Sequence, residues 1–176
     1  MHTLTLTRSL VLEAAPTTFA EAAERHLDDV FGYLLYMTRD RTLADDLAGA
    51  TFEKAFRHWS RFDARRGSAR TWLIGIARTT ALDWFRSESR RKRREQAAAQ
   101  PEAQEADFVE GLSPALQAAL ATLSAGEREV LALRIVIELD GDQTARVLGI
   151  SPTAVSTRLS RALTKLEEKV RNDDLR

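Results

Sequence analysis

The sequence predicts an all-α fold made of two small helical domains joined by a flexible linker, the C-terminal one a helix-turn-helix. Three observations carry this expectation. Apolar residues recur at three- and four-residue spacing along most of the chain, and the strict alternation that marks strands is nearly absent. A capping residue followed three positions later by Glu or Gln opens one helical stretch after another: Thr18 with Glu21, Ser124 with Glu127, Asp140 with Gln143. Residues 96–112 are rich in Ala, Gln and Glu and poor in large apolar side chains, the composition of a tether.

Residues 1–16 alternate weakly through Leu4, Leu6, Leu10 and Leu12 and stop at Pro16, so they read as a mobile arm. The first domain is expected over residues 17–95. Its first helix starts after Thr18 and buries Phe19, Ala23, Leu27, Val30, Phe31, Leu34 and Leu35, until Arg39-Asp40-Arg41 interrupts it. Thr42 is expected to cap the second helix, whose stripe is Leu43, Leu47, Thr51, Ala55, Phe56 and Trp59. A loop from Arg61 leads to Ser68, the expected cap of a third helix carrying Trp72, Leu73, Ile76, Ala77, Thr80, Trp84 and Phe85 on one side. The second domain is expected over residues 113–172. It begins near Pro114 with Leu116, Ala119, Leu120 and Leu123, restarts at Ser124, and ends in a helix through Leu163, Leu166 and Val170.

Residues 140–162 are the most informative stretch. Asp140 and Gln143 form a capping box, Gly149 supplies a positive φ where that helix ends, and Ser151-Pro152 opens the next. With Ala145, Leu148, Ile150, Val155 and Leu159 as the apolar set, this is the punctuation of a helix-turn-helix. Such a pair serves either as a plain packing unit or as a reader of the DNA major groove through its second helix.

Composition bounds the function. The 176 residues contain no cysteine, which excludes disulfides and thiol chemistry, and three scattered histidines (His2, His26, His58), which give no metal-ligand spacing. No nucleophile–base pair, carboxylate dyad or phosphate-cradling loop marks an enzyme, and no cofactor is implied. No apolar run is long enough to span a bilayer, and the N-terminal apolar stretch is short for a signal peptide, so the expected location is cytoplasmic. The formal net charge is zero, which argues against a free-standing DNA binder. Charge is nonetheless segregated. Residues 86–94 hold Arg86, Arg90, Arg91, Lys92, Arg93 and Arg94 against Glu88 alone, whereas residues 95–110 hold five acids and no base. A solvated helix end and a phosphate-tracking strip both fit the basic run.

Three segments then carry a resemblance. Residues 45–57 (DDLAGATFEKAFR), residues 62–78 (FDARRGSARTWLIGIAR) with Leu82-Asp83, and residues 123–134 (LSAGEREVLALR) followed by the helix-turn-helix stand in the order and spacing of RNA polymerase sigma factors. The chain resembles the small two-domain extracytoplasmic-function (ECF) group of the sigma-70 family. The resemblance implies a region 2-like domain that docks on core RNA polymerase and binds the promoter's minus-ten element. It also implies a region 4-like domain for the minus-thirty-five element, and an anti-sigma protein as a further partner.

Carried onto this chain, the resemblance assigns polymerase docking to Asp45, Asp46 and Glu53. It assigns minus-ten DNA to Arg65, Arg66, Ser68, Arg70, Trp72, Thr79, Arg86, Arg90 and Arg91. Trp72 is expected to be chiefly structural. Minus-thirty-five DNA falls to Thr153, Ser156, Thr157, Arg158, Ser160, Arg161 and Lys165. The chain departs from the family pattern at Gly49-Ala50, where a glutamine and an acid are usual, at Gln143-Thr144, usually an acid and an isoleucine, and at Thr79, usually asparagine. Two other readings stay open: a helix-turn-helix regulator that needs no polymerase, and a sigma-like adaptor that binds proteins only.

Overall fold

The computed structural model describes residues 18–96 and 114–174. Every regular element among them is helical: α1 (Phe19–Thr38), α2 (Arg41–His58), α3 (Ala69–Gln96), α4 (Pro114–Ala121), α5 (Ala125–Leu131), α6 (Gly141–Leu148) and α7 (Pro152–Asp174), with short 3₁₀ and π turns between some of them. The expected arm and most of the expected tether lie outside the described residues.

The capping chemistry sets most of these boundaries. Thr18–Glu21, Ser124–Glu127 and Asp140–Gln143 each form the reciprocal box in which side chain and backbone satisfy each other's orphan groups. Gly149 ends α6 at φ 66°, and Ser151 Oγ accepts from Ala154 N at the start of α7. The cap of α2 is a correction. Arg39 adopts a left-handed conformation (φ 57°) that turns the chain, which leaves Asp40 extended and its carboxylate accepting from Leu43 N; Thr42 lies inside the first turn. The segment after α5 also differs from a plain helix. It widens into a π turn over Ala132–Val136, closed by Ile137 N donating to Ala132 O and Leu139 N donating to Leu133 O.

In the N-terminal module α1, α2 and α3 pack pairwise around Val30, Tyr33, Leu34, Leu47, Leu73 and Ile74. The face of α2 turned inward is small (Ala44, Ala48, Thr51, Ala55), so the three helices approach closely. Two expected core residues are not core: Leu27 is half exposed and Phe56 is 66% exposed. Each sits beside its helix's buried stripe, which runs through Ala22, Val30 and Tyr33 on α1 and through Thr51 and Ala55 on α2. In the C-terminal module α7 packs across α4, α5 and α6.

The structure alters the tethered-beads expectation in one important respect. The modules are docked. Helix α6 packs on α3 and the π turn packs on α1, so the core of the first module runs without a break into Val130, Leu133, Ile137, Leu139 and Leu148. Tyr36 of α1 reaches into the second cluster, against Leu120, Leu123, Leu131 and Ala162.

Thr144, the departure from isoleucine, is completely buried and its hydroxyl has no hydrogen-bond partner. A buried unsatisfied hydroxyl costs about 1–3 kcal/mol, so the near-isosteric Thr144→Val is expected to stabilise the protein by about 1 kcal/mol. Urea unfolding at unchanged m-value would measure it, and a loss of stability would show that the hydroxyl is satisfied.

Candidate nucleic-acid interface

A loop ahead of a helix N-terminus, with hydroxyls and arginines around it, is suited to hold a nucleotide, because unpaired backbone N–H groups point out of the helix. Residues 62–68 build such a loop. Asp63 organises it: its carboxylate accepts from Arg65 N and, through both oxygens, from the Arg65 guanidinium at 3.0 Å, while Arg66 N donates to Asp63 O. The Arg65 hydrogen bonds hold the Asp63 carboxyl below the usual carboxylate range. Ser68 then caps α3 by accepting from Thr71 N at 3.2 Å, and its hydroxyl lies 2.9 Å from that of Thr71.

Behind the loop is a cleft of about 550 Å³ lined by Arg61, Phe62, Arg66, Ser68, Trp72 and Thr79, among others. That is within the roughly 300–1,000 Å³ of small-ligand sites, ample for one extruded base. Phe62 and Trp72 are its aromatic lining, and Trp59 packs behind them. Trp59 stacks on Phe62 at 4.8 Å between centroids, and Trp72 meets both rings at 5.6–5.7 Å. Trp72 packs against the core of the module and also faces the cleft. Thr79 is exposed at the cleft's far end, its hydroxyl donating to Ile76 O. Sequence reading missed Arg61, Thr71, Gly75, Ile76 and, from the other module, Arg146 and Val147. The recurrence Ser68, Thr71/Trp72, Gly75/Ile76, Thr79 at helical spacing was the signal for part of that face.

The expected arginines divide into two groups. Arg66 lines the cleft, whereas Arg65 is 91% exposed and returns to Asp63. Arg70 turns away from the loop and makes a bidentate pair with Asp29 of α1, at 2.6 and 2.7 Å. Burial pushes the Asp29 carboxyl up; hydrogen bonds and charge from His26 and Arg70 more than reverse this and hold it at about 2. Arg70 thus ties α3 to α1. On the basic end of α3, Arg86 pairs with Asp83, and Arg91 with Glu88 and Glu95. These guanidiniums are well exposed, and exposed pairs of this kind are worth about 0–1 kcal/mol, so a phosphate can displace the carboxylates. Arg90, Arg93 and Arg94 are exposed and make no ion pair among the described residues.

On α7 the candidates also divide. Thr153, Ser156, Thr157, Ser160 and Arg161 are exposed. The hydroxyls of Ser156 and Thr157 donate to the carbonyls of Pro152 and Thr153, which leaves them as acceptors. Arg158 lies back against α5, its guanidinium 3.3 Å from where a Cβ at Gly126 would stand. Lys165 donates to Glu127 at 2.9 Å, and that contact, with the Ser124 backbone, holds the Glu127 carboxyl down at about 2. Both side chains brace α7 on α5, leaving Arg161 as the strong donor on the outer face.

Asp45, Asp46, Gly49, Ala50, Glu53, Phe56 and Arg57 are all exposed and follow one face of α2. Glu53 accepts from Arg57 one turn on. A side chain at Gly49 would meet open space, so no close packing within the protein requires glycine there, and it costs the helix about 1 kcal/mol relative to alanine. Among the described residues no His, Asp or Glu cluster could hold a metal, and no helix is long and apolar enough to cross a membrane.

Residues 22–91 match the sigma-70 region 2 family and residues 113–166 match sigma-70 region 4. The ECF RNA polymerase sigma factor SigC of Mycobacterium tuberculosis is 32% identical over 150 residues, spanning 84% of this chain and 80% of its own. The chain belongs to the ECF sigma factors of RNA polymerase. SigX of Bacillus subtilis is 27% identical over 161 residues, 86% of this chain and 82% of its own. In fold the sigma factor resembles RpoE of Bartonella quintana, solved with the anti-sigma factor NepR (TM-score 0.72, 21% identity, 87% of this chain and 96% of that one). It also resembles CnrH, solved with the cytosolic domain of CnrY (TM-score 0.65, 26% identity, 88% of each chain). As a sigma factor it binds core RNA polymerase and directs promoter recognition and transcription initiation.

Proposed function

We propose that the cleft ahead of α3 takes a base extruded from the non-template strand of the minus-ten element. The observation that carries this reading is an aromatic floor, formed by Phe62 and Trp72 with Trp59 packed behind them, under a rim of arginines and hydroxyls at a helix N-terminus. Stacking on an aromatic ring is worth about 1–3 kcal/mol per base. Opening about ten base pairs forfeits stacking of about 1.4 kcal/mol per step, so capture biases where the polymerase melts DNA and does not drive melting alone. The exposed arginines at the end of α3 follow duplex phosphates upstream, and the exposed acids of α2 meet the polymerase. Helix α7 reads the minus-thirty-five element. This sigma factor acts in the cytoplasm by binding rather than by chemistry of its own, and an anti-sigma protein is a fitting partner because RpoE and CnrH were each solved with such a regulator or with a partner's cytosolic domain.

The test is reconstitution. Purified core polymerase with this protein should initiate at specific promoters that core alone ignores. A footprint on DNA without polymerase would favour a free-standing regulator, and polymerase binding without transcript would favour an adaptor. Arg161→Ala should weaken minus-thirty-five recognition by about 1–3 kcal/mol, the worth of one bidentate guanine contact, with helicity unchanged. Competition with mutated upstream elements would measure it, and unaltered discrimination would remove Arg161 from the reading face.

A further inference from the structure

The cleft ahead of α3 carries more than the capture of one extruded base uses. Its volume of about 550 Å³ is that of a pocket for a whole small molecule. Three arginines from three separate elements line it: Arg61 from the 3₁₀ turn after α2, Arg66 from the loop, and Arg146 from α6. All three are exposed, and none makes an ion pair among the described residues. Asp63 is the acid in the same wall, and its carboxylate is already committed to Arg65. The cleft is therefore positive, and a concave wall of one sign concentrates its field on the space it encloses.

Beside these charges lie flat apolar faces and a helix end. Phe62 and Trp72 are half-buried, with ring centroids 5.6 Å apart. Aromatic rings of this kind stack on any base, and a purine offers them more surface than a pyrimidine. At Ser68 the first backbone N–H groups of α3 add a site that favours negative charge.

The arrangement of charge distinguishes two occupants. A base that belongs to a strand brings phosphodiesters spaced along a backbone, one charge on each. A free nucleotide brings its charges together, on adjacent phosphates at one end of the molecule. Guanidinium groups hold such oxygens through paired hydrogen bonds, and several on one cleft suit the clustered anion. Arg146 weighs most here, because it comes from the other module and the minus-ten reading gives it no part.

We propose that this cleft is also a binding site for a free purine nucleoside di- or triphosphate, with the base against Phe62 and Trp72 and the phosphates held by Arg61, Arg66 and Arg146. Base and nucleotide share the same two rings, so one excludes the other and the nucleotide competes with promoter capture. That consequence alone rests on the minus-ten reading of the cleft; the binding does not.

The test is titration of the full chain with ATP, GTP, CTP and inorganic tripolyphosphate, followed by calorimetry and by tryptophan fluorescence. ATP or GTP should bind one to one with Kd below about 1 mM and quench the emission. Tripolyphosphate, which lacks the base, should bind about 5-fold or more weakly, and CTP should also bind more weakly than the purines. Arg66→Ala and Arg146→Ala should each lower the affinity about 10-fold or more, the loss of one charge-assisted contact. Arg171→Ala removes the same charge from an exposed position near the end of α7 and should change nothing. Absence of binding by both purine nucleotides overturns the proposal. So does CTP or tripolyphosphate binding as tightly as they do, and so does a folded Arg66→Ala or Arg146→Ala protein that binds undiminished. The titration needs neither promoter nor polymerase. A chain that binds nucleotide and starts no transcript would count against the proposed function alone, and one that starts transcription and binds no nucleotide would count against this site alone.

Discussion

Polymerase carrying a Trp72→Ala sigma factor is expected to bind promoter duplex nearly as well as wild type and to open it roughly 10–100 times more slowly. The magnitude follows from the loss of one base–aromatic stack, about 1–3 kcal/mol. The direction follows from where Trp72 stands. Its ring lines the cleft beside Phe62 with Trp59 packed behind, and on the proposed reading it stacks on an extruded base, a contact that would be made after melting and not before. An interaction made only with the opened state changes the rate of opening and leaves duplex affinity alone. A template whose minus-ten segment is already unpaired should recover most of the lost activity. Trp72→Phe keeps an apolar ring and should cost less than 10-fold. Because Trp72 also supports the two neighbouring rings, helicity and melting temperature must be read alongside. Equal defects on duplex and pre-opened templates, in a protein that remains folded, would place Trp72 in the frame of the cleft and outside base capture.

Much of this protein was legible from sequence because much of it is decided within four residues. Capping boxes at Thr18, Ser124 and Asp140 and the left-handed Gly149 are local hydrogen-bond and dihedral choices, and the structure has them where the sequence puts them. The α2 cap was harder for a local reason. Asp40 and Thr42 are both capping types, and the choice between them turns on the left-handed conformation of Arg39, a residue with no propensity to advertise it. The π turn after α5 was hidden because its residues keep ordinary helical periodicity.

The interface was legible in outline only. Motif spacing brought Arg66, Ser68, Trp72 and Thr79 to one cleft and left Thr153, Ser156, Thr157, Ser160 and Arg161 exposed on one helix. Which cations are free was not legible, because the partners are distant in sequence. Arg70 finds Asp29 forty-one residues away, Lys165 finds Glu127 thirty-eight away, and Arg78 finds Glu129 fifty-one away. For the same reason composition showed a tether between residues 96 and 112 and gave no sign that the modules it joins pack together.

The Arg70–Asp29 pair gives the sharpest test of that distinction. Arg70→Ala should lower stability by about 1–3 kcal/mol, between the worth of an exposed pair and that of a buried one, since both side chains are about three-quarters covered. For a chain of this size that is roughly 2–4 °C of melting temperature per kcal/mol. Arg70→Lys should fail to rescue, because an ammonium cannot reproduce the fork that bonds both Asp29 oxygens. A phosphate contact would behave oppositely: lysine would serve, and alanine would shrink the salt dependence of DNA binding while leaving the melting temperature alone. Acid gives an independent reading. The Asp29 carboxyl titrates at about 2 in the folded protein and near 3.9 when unfolded, so its contribution is fully present above about pH 4 and disappears as pH falls through about 2. Asp29→Asn should therefore cost stability at neutral pH and flatten the acid limb of the stability curve over that interval. Glu127, also held at about 2, leaves a residual slope in the same range, which Lys165→Ala should reduce but not abolish, because the hydrogen bonds from Ser124 remain. A melting temperature that Arg70→Ala leaves unmoved, together with a smaller salt slope, would return this arginine to the DNA.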